Sequence, residues 1–236
     1  MIVLSFCFYK NRFEMDKGLI EYLSGFVTEN RFKQFVEVLE HRTRYLTVVL
    51  EDIYQSQNAS AVLRTCDCFG VQDVHIIENR NEYKINPDVA LGASKWLSLN
   101  YYKQKENNTL DAINTLKKNG YRIVATTPHT NDVNLEDFDL SAGKTALVFG
   151  TELTGVSDVV MENADEFMKI PMYGFTESFN ISVSAAISLH HLIYKLKNSE
   201  ITWHLREDEA DEILLGWLRK SIKKSDVIEK RYLEKR

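Results

Sequence analysis

The sequence has little that would tie it to an oxidising compartment or to a membrane. Its three cysteines, Cys7, Cys66 and Cys68, are too few and too clustered for a disulfide framework, and no cysteine or histidine cluster completes a metal site. No run of 18 apolar residues occurs, so no membrane-spanning helix is expected, and the apolar residues 2–8 are too few for a signal peptide. We therefore expect reduced thiols in a cytoplasmic protein without a metal.

Two common catalytic patterns are also missing. The Gly-rich residues 150–157 lack the lysine of a P-loop, and no G-x-G-x-x-G sequence occurs anywhere in the chain. Ser178 does not lie in a nucleophile elbow and has no well-placed histidine, which argues against a hydrolase triad. Neither a nucleotide-phosphate site nor a serine hydrolase is expected.

Positive charge is scarce except at the C-terminal end. The formal net charge is −5, although residues 217–236 carry eight Lys or Arg against three acidic residues. A basic terminal segment can bind a polyanion or can simply be the solvated face of a helix, and the charge pattern leaves both possibilities open.

Short apolar stretches alternate with amphipathic ones. Strand-like runs at residues 46–50, 74–77, 122–126, 145–149 and 166–170 are separated by helical patterns at 59–69, 110–118 and 158–163, and a helix follows Ser182. Helical segments are also predicted at 17–25, at 31–40 and around residues 213–222, and residues 79–100 and 128–139 are predicted to be mostly loop. This order predicts an α/β protein with an open, mostly parallel sheet.

Three loops that follow predicted strands carry polar residues, namely residues 55–64, 150–157 and 171–182. Ligands in open α/β sheets bind beyond the carboxyl ends of the strands, so these loops can share one rim. Structural explanations stay open for each polar side chain. Asn58, Ser60, Ser178, Asn180 and Ser182 can each cap a helix, Glu152 can cap the helix after it, and Arg64 can form an ion pair with Glu152 or Asp67.

Together the three loops resemble a known family. The sequences NASAVLRT (residues 58–65), LVFGTELTGVS (147–157) and IPMYGFTESFNISVSAA (170–186) are similar to the three ordered motifs of the SpoU/TrmH family. That family comprises RNA 2′-O-methyltransferases of the SPOUT class. The chain is most similar to members that methylate a D-loop guanosine of tRNA.

The resemblance implies a fold, a cofactor and a partner. It implies a methyltransferase domain over residues 46–198 whose chain forms a deep trefoil knot at about 145–196, between helical extensions at 1–45 and 199–236. It implies that Thr126, Gly150, Ile170 and Phe179 hold S-adenosylmethionine. It also implies a homodimer in which the small face of the helix after Ser182 packs against its mate.

The resemblance also implies roles for polar and basic residues. Arg64 would be the catalytic arginine, supported by Asn58, Glu152, Ser178 and Asn180. The tRNA phosphates would meet basic residues of the two extensions and nearby, namely Arg31, Lys33, Arg42, Arg44, Lys223 and Lys224.

Two alternatives and one boundary question remain. The same chemistry could act on ribosomal RNA, or the chain could be a non-catalytic RNA-binding dimer module. Residues 1–14 differ in character from the rest of the chain, and we hypothesise that Met15 is the initiator.

Overall fold

The computed structural model describes residues 17–127 and 133–234, which form two compact units. One unit is Thr43–Trp203, and the other combines residues 17–42 with residues 204–234. The hypothesis about Met15, and Cys7, lie outside the described residues. None of the described helices is both long enough and apolar enough to cross a lipid bilayer.

The unit Thr43–Trp203 is built on a seven-stranded sheet. Its strands are β1 (Leu46–Glu51), β2 (Asp73–Ile77), β3 (Ser98–Tyr102), β4 (Arg122–Thr126), β5 (Val133–Asn134), β6 (Thr145–Phe149) and β7 (Glu166–Lys169). The strand order is β3-β2-β1-β6-β4-β7-β5, and each pair of neighbours is parallel. The predicted α/β class with a mostly parallel sheet is confirmed, while the knot stays a prediction.

Helices cover both faces of this sheet. They are α3 (Ser56–Phe69), α4 (Pro87–Ala90), α5 (Thr109–Lys118), α6 (Asp158–Asn163) and α7 (Ile181–Lys197). In β1, Val48 packs in one core cluster with residues of α3 and α7, whereas Val49 packs in a second cluster with residues of α5. The central strands are therefore buried on both faces, as their apolar sequences require.

Two predicted loops contain regular structure, so those predictions were wrong in part. Residues 79–100 include α4, a 3-10 turn at Ala93–Lys95 and the start of β3. Residues 128–139 include β5 and a 3-10 turn at Leu135–Asp137. Both missed strands lie at edges of the sheet, where burial is incomplete and the apolar signal is weak.

The second unit is helical. It contains α1 (residues 17–24), α2 (Glu29–Leu39), α8 (Glu207–Ser221) and α9 (Ser225–Leu233). The Phe35 and Trp217 rings lie 5.7 Å apart between α2 and α8, and the Tyr22 and Tyr232 rings lie 5.0 Å apart. Helix α8 begins earlier than expected because Glu209 accepts a hydrogen bond from the backbone of Arg206 and caps its first turn.

Candidate active site

A cavity of about 470 Å³ opens at the carboxyl edge of the sheet. Its wall is formed by the residues that end or follow β4, β6 and β7, together with the start of α7. Parallel strands bring all these ends to one edge, and the volume lies in the range typical of small-molecule sites. The four residues predicted to hold the cofactor all line this cavity, namely Thr126, Gly150, Ile170 and Phe179.

The loop after β6 makes a tight turn in this wall. Thr151 and Gly155 exchange two backbone hydrogen bonds of 2.8 and 3.1 Å, and Gly155 has a φ of 70° that suits glycine. A Cβ on Gly150 would lie 2.1 Å from the carbonyl carbon of Gly155, so a side chain there would push the turn apart. The turn then leads to Ser157, whose hydroxyl accepts a hydrogen bond from Val160 and caps α6.

A chain of hydrogen bonds joins the three motif loops. Asn180 donates to the side-chain oxygen of Asn58 over 3.1 Å, and Asn58 donates to Glu152 over 2.8 Å. The Glu152 carboxylate also accepts the backbone N–H groups of Tyr54 and Gln55, each at 3.3 Å. Three of the five predicted catalytic residues are therefore brought together, although their roles remain predictions.

Asn58 does not cap its helix. Helix α3 starts at Ser56 with Gln55 at the cap position, so Asn58 lies inside the first turn and is buried. Its amide is instead satisfied by Glu152 and Asn180, which explains how a polar side chain can be buried there. Ser60 also lies inside the helix, where its hydroxyl bonds to the hydroxyl of Tyr83.

Asn180 both caps a helix and contacts another predicted site residue. Its side-chain oxygen accepts the backbone N–H of Ser182 at 2.8 Å and caps α7, while its amide nitrogen reaches Asn58. Ser178 is exposed and lines the cavity. The cap thus fixes the amide of Asn180 toward the other two motifs.

Arg64 lies on the exposed side of α3. It shares this side with exposed Gln57 and Cys68, at helical spacing, and it makes no hydrogen bond or ion pair with any described residue. The ion pair with Glu152 or Asp67 that the sequence left open is not formed, because Arg64 is solvated. Among the described residues, no hydrogen bond or ion pair joins Arg64 to the other four predicted catalytic residues.

The predicted RNA-binding residues divide into exposed and sequestered ones. Arg31, Lys33, Lys223 and Lys224 are exposed. Arg42 is only 2% exposed, with its guanidinium over the Trp217 ring, so the prediction that it contacts phosphate is wrong. Arg44 is also a correction, because its largely buried side chain pairs with Asp73 at 3.1 Å.

The small residues of α7 do not all face outward. Ala185 and Ser188 are buried, and Ser184 and Ser188 line the cavity. Part of the small face therefore lets the cavity reach the helix, and the packing of this helix against a mate stays a prediction. The exposed stripe carries Val183, His190 and Tyr194 instead.

Sequence reasoning missed two buried carboxylates, Glu51 and Asp52, at the end of β1. Glu51 accepts hydrogen bonds from Ser157 and Thr109, and Asp52 accepts them from the loop after β2. An acidic pair directly after the apolar run LTVVL was the available signal, because a buried carboxylate requires several donors. Among the described residues, no group of three or more His, Cys, Asp or Glu is arranged to hold a metal.

Comparisons with known proteins agree with the motifs. The model of the SpoU rRNA methylase family matches residues 45–190. A tRNA (guanosine(18)-2′-O)-methyltransferase from Borreliella burgdorferi is 47% identical over 210 residues, which cover 89% of this chain and 94% of that protein. A protein of the same name from Aquifex aeolicus is 34% identical, covering 84% of this chain and 92% of its own length.

A solved structure shares the fold. The crystal structure of the Aquifex aeolicus TrmH/SpoU tRNA modifying enzyme matches with a TM-score of 0.74 and 33% identity, covering 83% of this chain and 98% of that one. The family resemblance inferred from three short motifs is thereby confirmed over most of the chain. The chain belongs to the SpoU methylase family.

Proposed function

We propose that this protein transfers the methyl group of S-adenosylmethionine to the 2′-hydroxyl of a guanosine in tRNA. The observation that carries the proposal is the hydrogen-bonded chain Asn180–Asn58–Glu152, which ties all three family motifs together beside one cavity. Relatives named for methylation of guanosine 18 in tRNA match most of this chain at 47% and 34% identity, and they favour that nucleotide.

The cavity suits a ligand of this kind. Met168, Ile170 and Ile181 give it an apolar part that fits an adenine ring, while Glu177 offers a carboxylate to the cationic groups of the cofactor. Ser188 lines the cavity, and its buried hydroxyl has no hydrogen-bond partner among the described residues. A buried hydroxyl without a partner costs free energy, so a ligand group that bonds to it would be favoured.

The cofactor, when bound, supplies a methyl group made electrophilic by the attached sulfonium. In the displacement, the 2′-oxygen forms a bond to the methyl carbon while the carbon–sulfur bond breaks, and its electron pair neutralises the sulfur. The protein must therefore hold the ribose in line and help the hydroxyl proton to leave. Alignment of this kind can be worth about 7–11 kcal/mol.

The motif residues divide this work. Glu152 and Asn180 orient Asn58, and Ser178 offers a hydroxyl at the cavity wall to the ribose. Solvated Arg64 binds the RNA phosphate beside the target ribose, because it is not committed to another described side chain and its planar fork matches a phosphate. Its charge lowers the pKa of the 2′-hydroxyl, and the proton passes to solvent water.

A homodimer through α7 is part of the proposal. Val183, His190 and Tyr194 form an exposed stripe on α7, whose other face is buried, and Phe179 is also exposed just before it. Apolar side chains in such a stripe favour a second copy of the chain. Val183→Asp and Tyr194→Asp together should give a monomer in sedimentation analysis, whereas an unchanged mass would contradict this assignment.

The remaining exposed basic residues, Arg31, Lys33, Lys223 and Lys224, would contact the rest of the tRNA. The acidic net charge of the chain means that this contact must come from local patches rather than from the whole surface.

Ribosomal RNA is the second candidate substrate, favoured by the name of the matching family model. The deciding experiment incubates the protein with labelled S-adenosylmethionine and either unmodified tRNA transcripts or rRNA fragments. Mass-spectrometric mapping should find 2′-O-methylguanosine in the D-loop of tRNA, and replacing that guanosine should abolish labelling. Labelling of rRNA alone would favour the alternative, and cofactor binding without any methylation would favour a non-catalytic module.

A further inference from the structure

Two carboxylates at the end of β1 accept hydrogen bonds from two different loops. Glu51 is 2% exposed, and its carboxylate accepts three hydrogen bonds: from the backbone N–H of Ser157 at 2.9 Å, the Ser157 hydroxyl at 2.7 Å and the Thr109 hydroxyl at 2.7 Å. Asp52 is 8% exposed and accepts three backbone N–H groups from residues 79–81 at 2.8–3.1 Å. These neighbours are equally well satisfied but hold different parts of the molecule.

Two carboxylates join the segment at the end of β1 to the loop after β6, one from each side. Glu51 reaches from the end of β1 to Ser157, at the far end of the loop after β6. Glu152 reaches from that same loop back to Tyr54, Gln55 and Asn58, just beyond β1. We call these two sets of bonds the clasp.

The clasp anchors the loop that forms one wall of the cavity. All residues from Gly150 to Val156 line the cavity, and Ser157 follows immediately. The backbone bonds between Thr151 and Gly155 hold the shape of the turn from within. Since the turn keeps its own shape, its bonds to neighbouring elements decide where it stands relative to β4, β7 and α7.

We infer that Glu51 is a positioning residue that sets the cavity wall for S-adenosylmethionine by holding Ser157. The inference rests on the proposed function for the identity of the ligand. Glu51 does not line the cavity, so it acts through Ser157 and the turn. Without it, two donors of Ser157 and one of Thr109 lose their acceptor, and the turn shifts to recover hydrogen bonds.

The chain offers a matched control for this inference. Glu51→Ala and Asp52→Ala each remove a buried carboxylate with three donors, from adjacent positions. Asp52 has a φ of 54°, which alanine adopts poorly, so Asp52→Ala should destabilise the protein at least as much as Glu51→Ala does. Glu51→Gln keeps the size of the side chain and one oxygen as a strong acceptor. The serine and threonine hydroxyls can turn to accept hydrogen bonds from its amide N–H groups.

The test measures S-adenosylmethionine binding by calorimetry and backbone hydrogen exchange in the full-length protein. Glu51→Ala should weaken binding by about tenfold or more, Glu51→Gln by about threefold or less, and Asp52→Ala by about twofold or less. Exchange should rise in residues 150–157 for Glu51→Ala and in residues 79–81 for Asp52→Ala.

Two results would overturn the inference while leaving the proposed function intact. One is wild-type-like cofactor binding by a folded Glu51→Ala variant. The other is an equal loss of binding in Glu51→Ala and Asp52→Ala, which would indicate general destabilisation. If the wild-type protein itself does not bind the cofactor, the proposed function fails. Unchanged exchange at residues 150–157 in Glu51→Ala would then separately refute the positioning role.

Discussion

The convergence of the site loops in the α/β unit can be predicted from the sequence, whereas the environments of the basic side chains in the helical unit cannot. In the α/β unit, Asn58, Glu152 and Asn180 are separated by up to 122 residues, yet they form one hydrogen-bonded chain. In the helical unit, Arg42 is buried over Trp217, and Arg219 makes two bonds of 2.6 and 3.1 Å to Glu229. Basic residues there serve packing as well as solvation.

The reason for this difference is topological. Parallel strands carry the residues that follow them to one edge, so polar residues after several strands converge whatever their distance in sequence. The helical unit has no such edge. Whether a basic side chain there is solvated or packs on an aromatic ring depends only on its tertiary contacts. Four experiments test this contrast, beginning with the one that should change activity most.

Replacing Arg64 should have the largest effect on the reaction and almost none on the fold. Arg64→Ala should lower kcat by about 10²–10⁴-fold, the range expected for loss of a group that moves or stabilises a proton. Because Arg64 is exposed and does not line the cavity, the melting temperature and the Kd for S-adenosylmethionine should stay unchanged.

The control for Arg64 is Lys118→Ala, which removes an exposed positive charge from α5, on the other face of the sheet. It should leave kcat unchanged. Near-full turnover by Arg64→Lys would contradict a role that depends on the planar guanidinium.

Asn58→Ala should damage both the fold and the reaction. It removes the side chain that joins Asn180 to Glu152, at a buried position, so the free energy of unfolding should fall by about 1–3 kcal/mol. Urea denaturation measures this loss, and single-turnover methylation should fall as well. If the variant kept full activity, the chain of hydrogen bonds would be structural only.

Acid should destabilise the α/β unit through His75. Burial lowers the pKa of His75 to about 4, and its ring bonds to the Tyr102 hydroxyl at 3.1 Å. Since the unfolded chain binds the proton near pH 6.5 and the folded one only near pH 4, stability is lost as the pH falls through that window. Between about pH 7.5 and pH 5 the loss from this group should be about 2 kcal/mol.

Denaturation of the wild type and His75→Gln at both pH values isolates this contribution. The variant should lose less stability than the wild type between the two pH values, because glutamine does not titrate. Equal losses in the two proteins would show that other groups cause the acid sensitivity.

A smaller effect is expected from the exposed lysines of the helical unit. Replacing Lys223 and Lys224 by alanine should lower the salt dependence of tRNA binding by about 2 in the slope of log K against log salt, without changing cofactor binding. Arg219→Ala removes a cation that is already paired with Glu229. It should leave the slope nearly unchanged, and an equal change in slope would contradict the distinction between exposed cations with and without a carboxylate partner.

Sequence alone was sufficient for the central strands and for the convergence of the motif loops. The runs LTVVL and TALVF are apolar because β1 and β6 are buried on both faces, and that burial made them recognisable. Strands β3 and β5 were missed because they lie at the edges. Helix α9 was not predicted because it has no buried residue, so its sequence lacks the apolar face that would indicate a helix.

Side-chain environments were harder to predict than elements. The exposure of Arg64 follows from the helical phase that it shares with Gln57 and Cys68, a pattern present in the sequence but obscured by the apolar residues around it. The burial of Arg42 depends on the distant Trp217, and no local pattern reports such a contact. The role of Glu51 likewise depends on its distant partner Ser157.

The most direct test of the account is a calorimetric titration of S-adenosylmethionine into the wild type and into Ser184→Leu, which fills the cavity from α7. One site per chain is expected in the wild type, and strongly reduced binding is expected in the folded variant. Equal binding in both proteins, or none in the wild type, would contradict the claim that the loops after β4, β6 and β7 and helix α7 enclose the cofactor site.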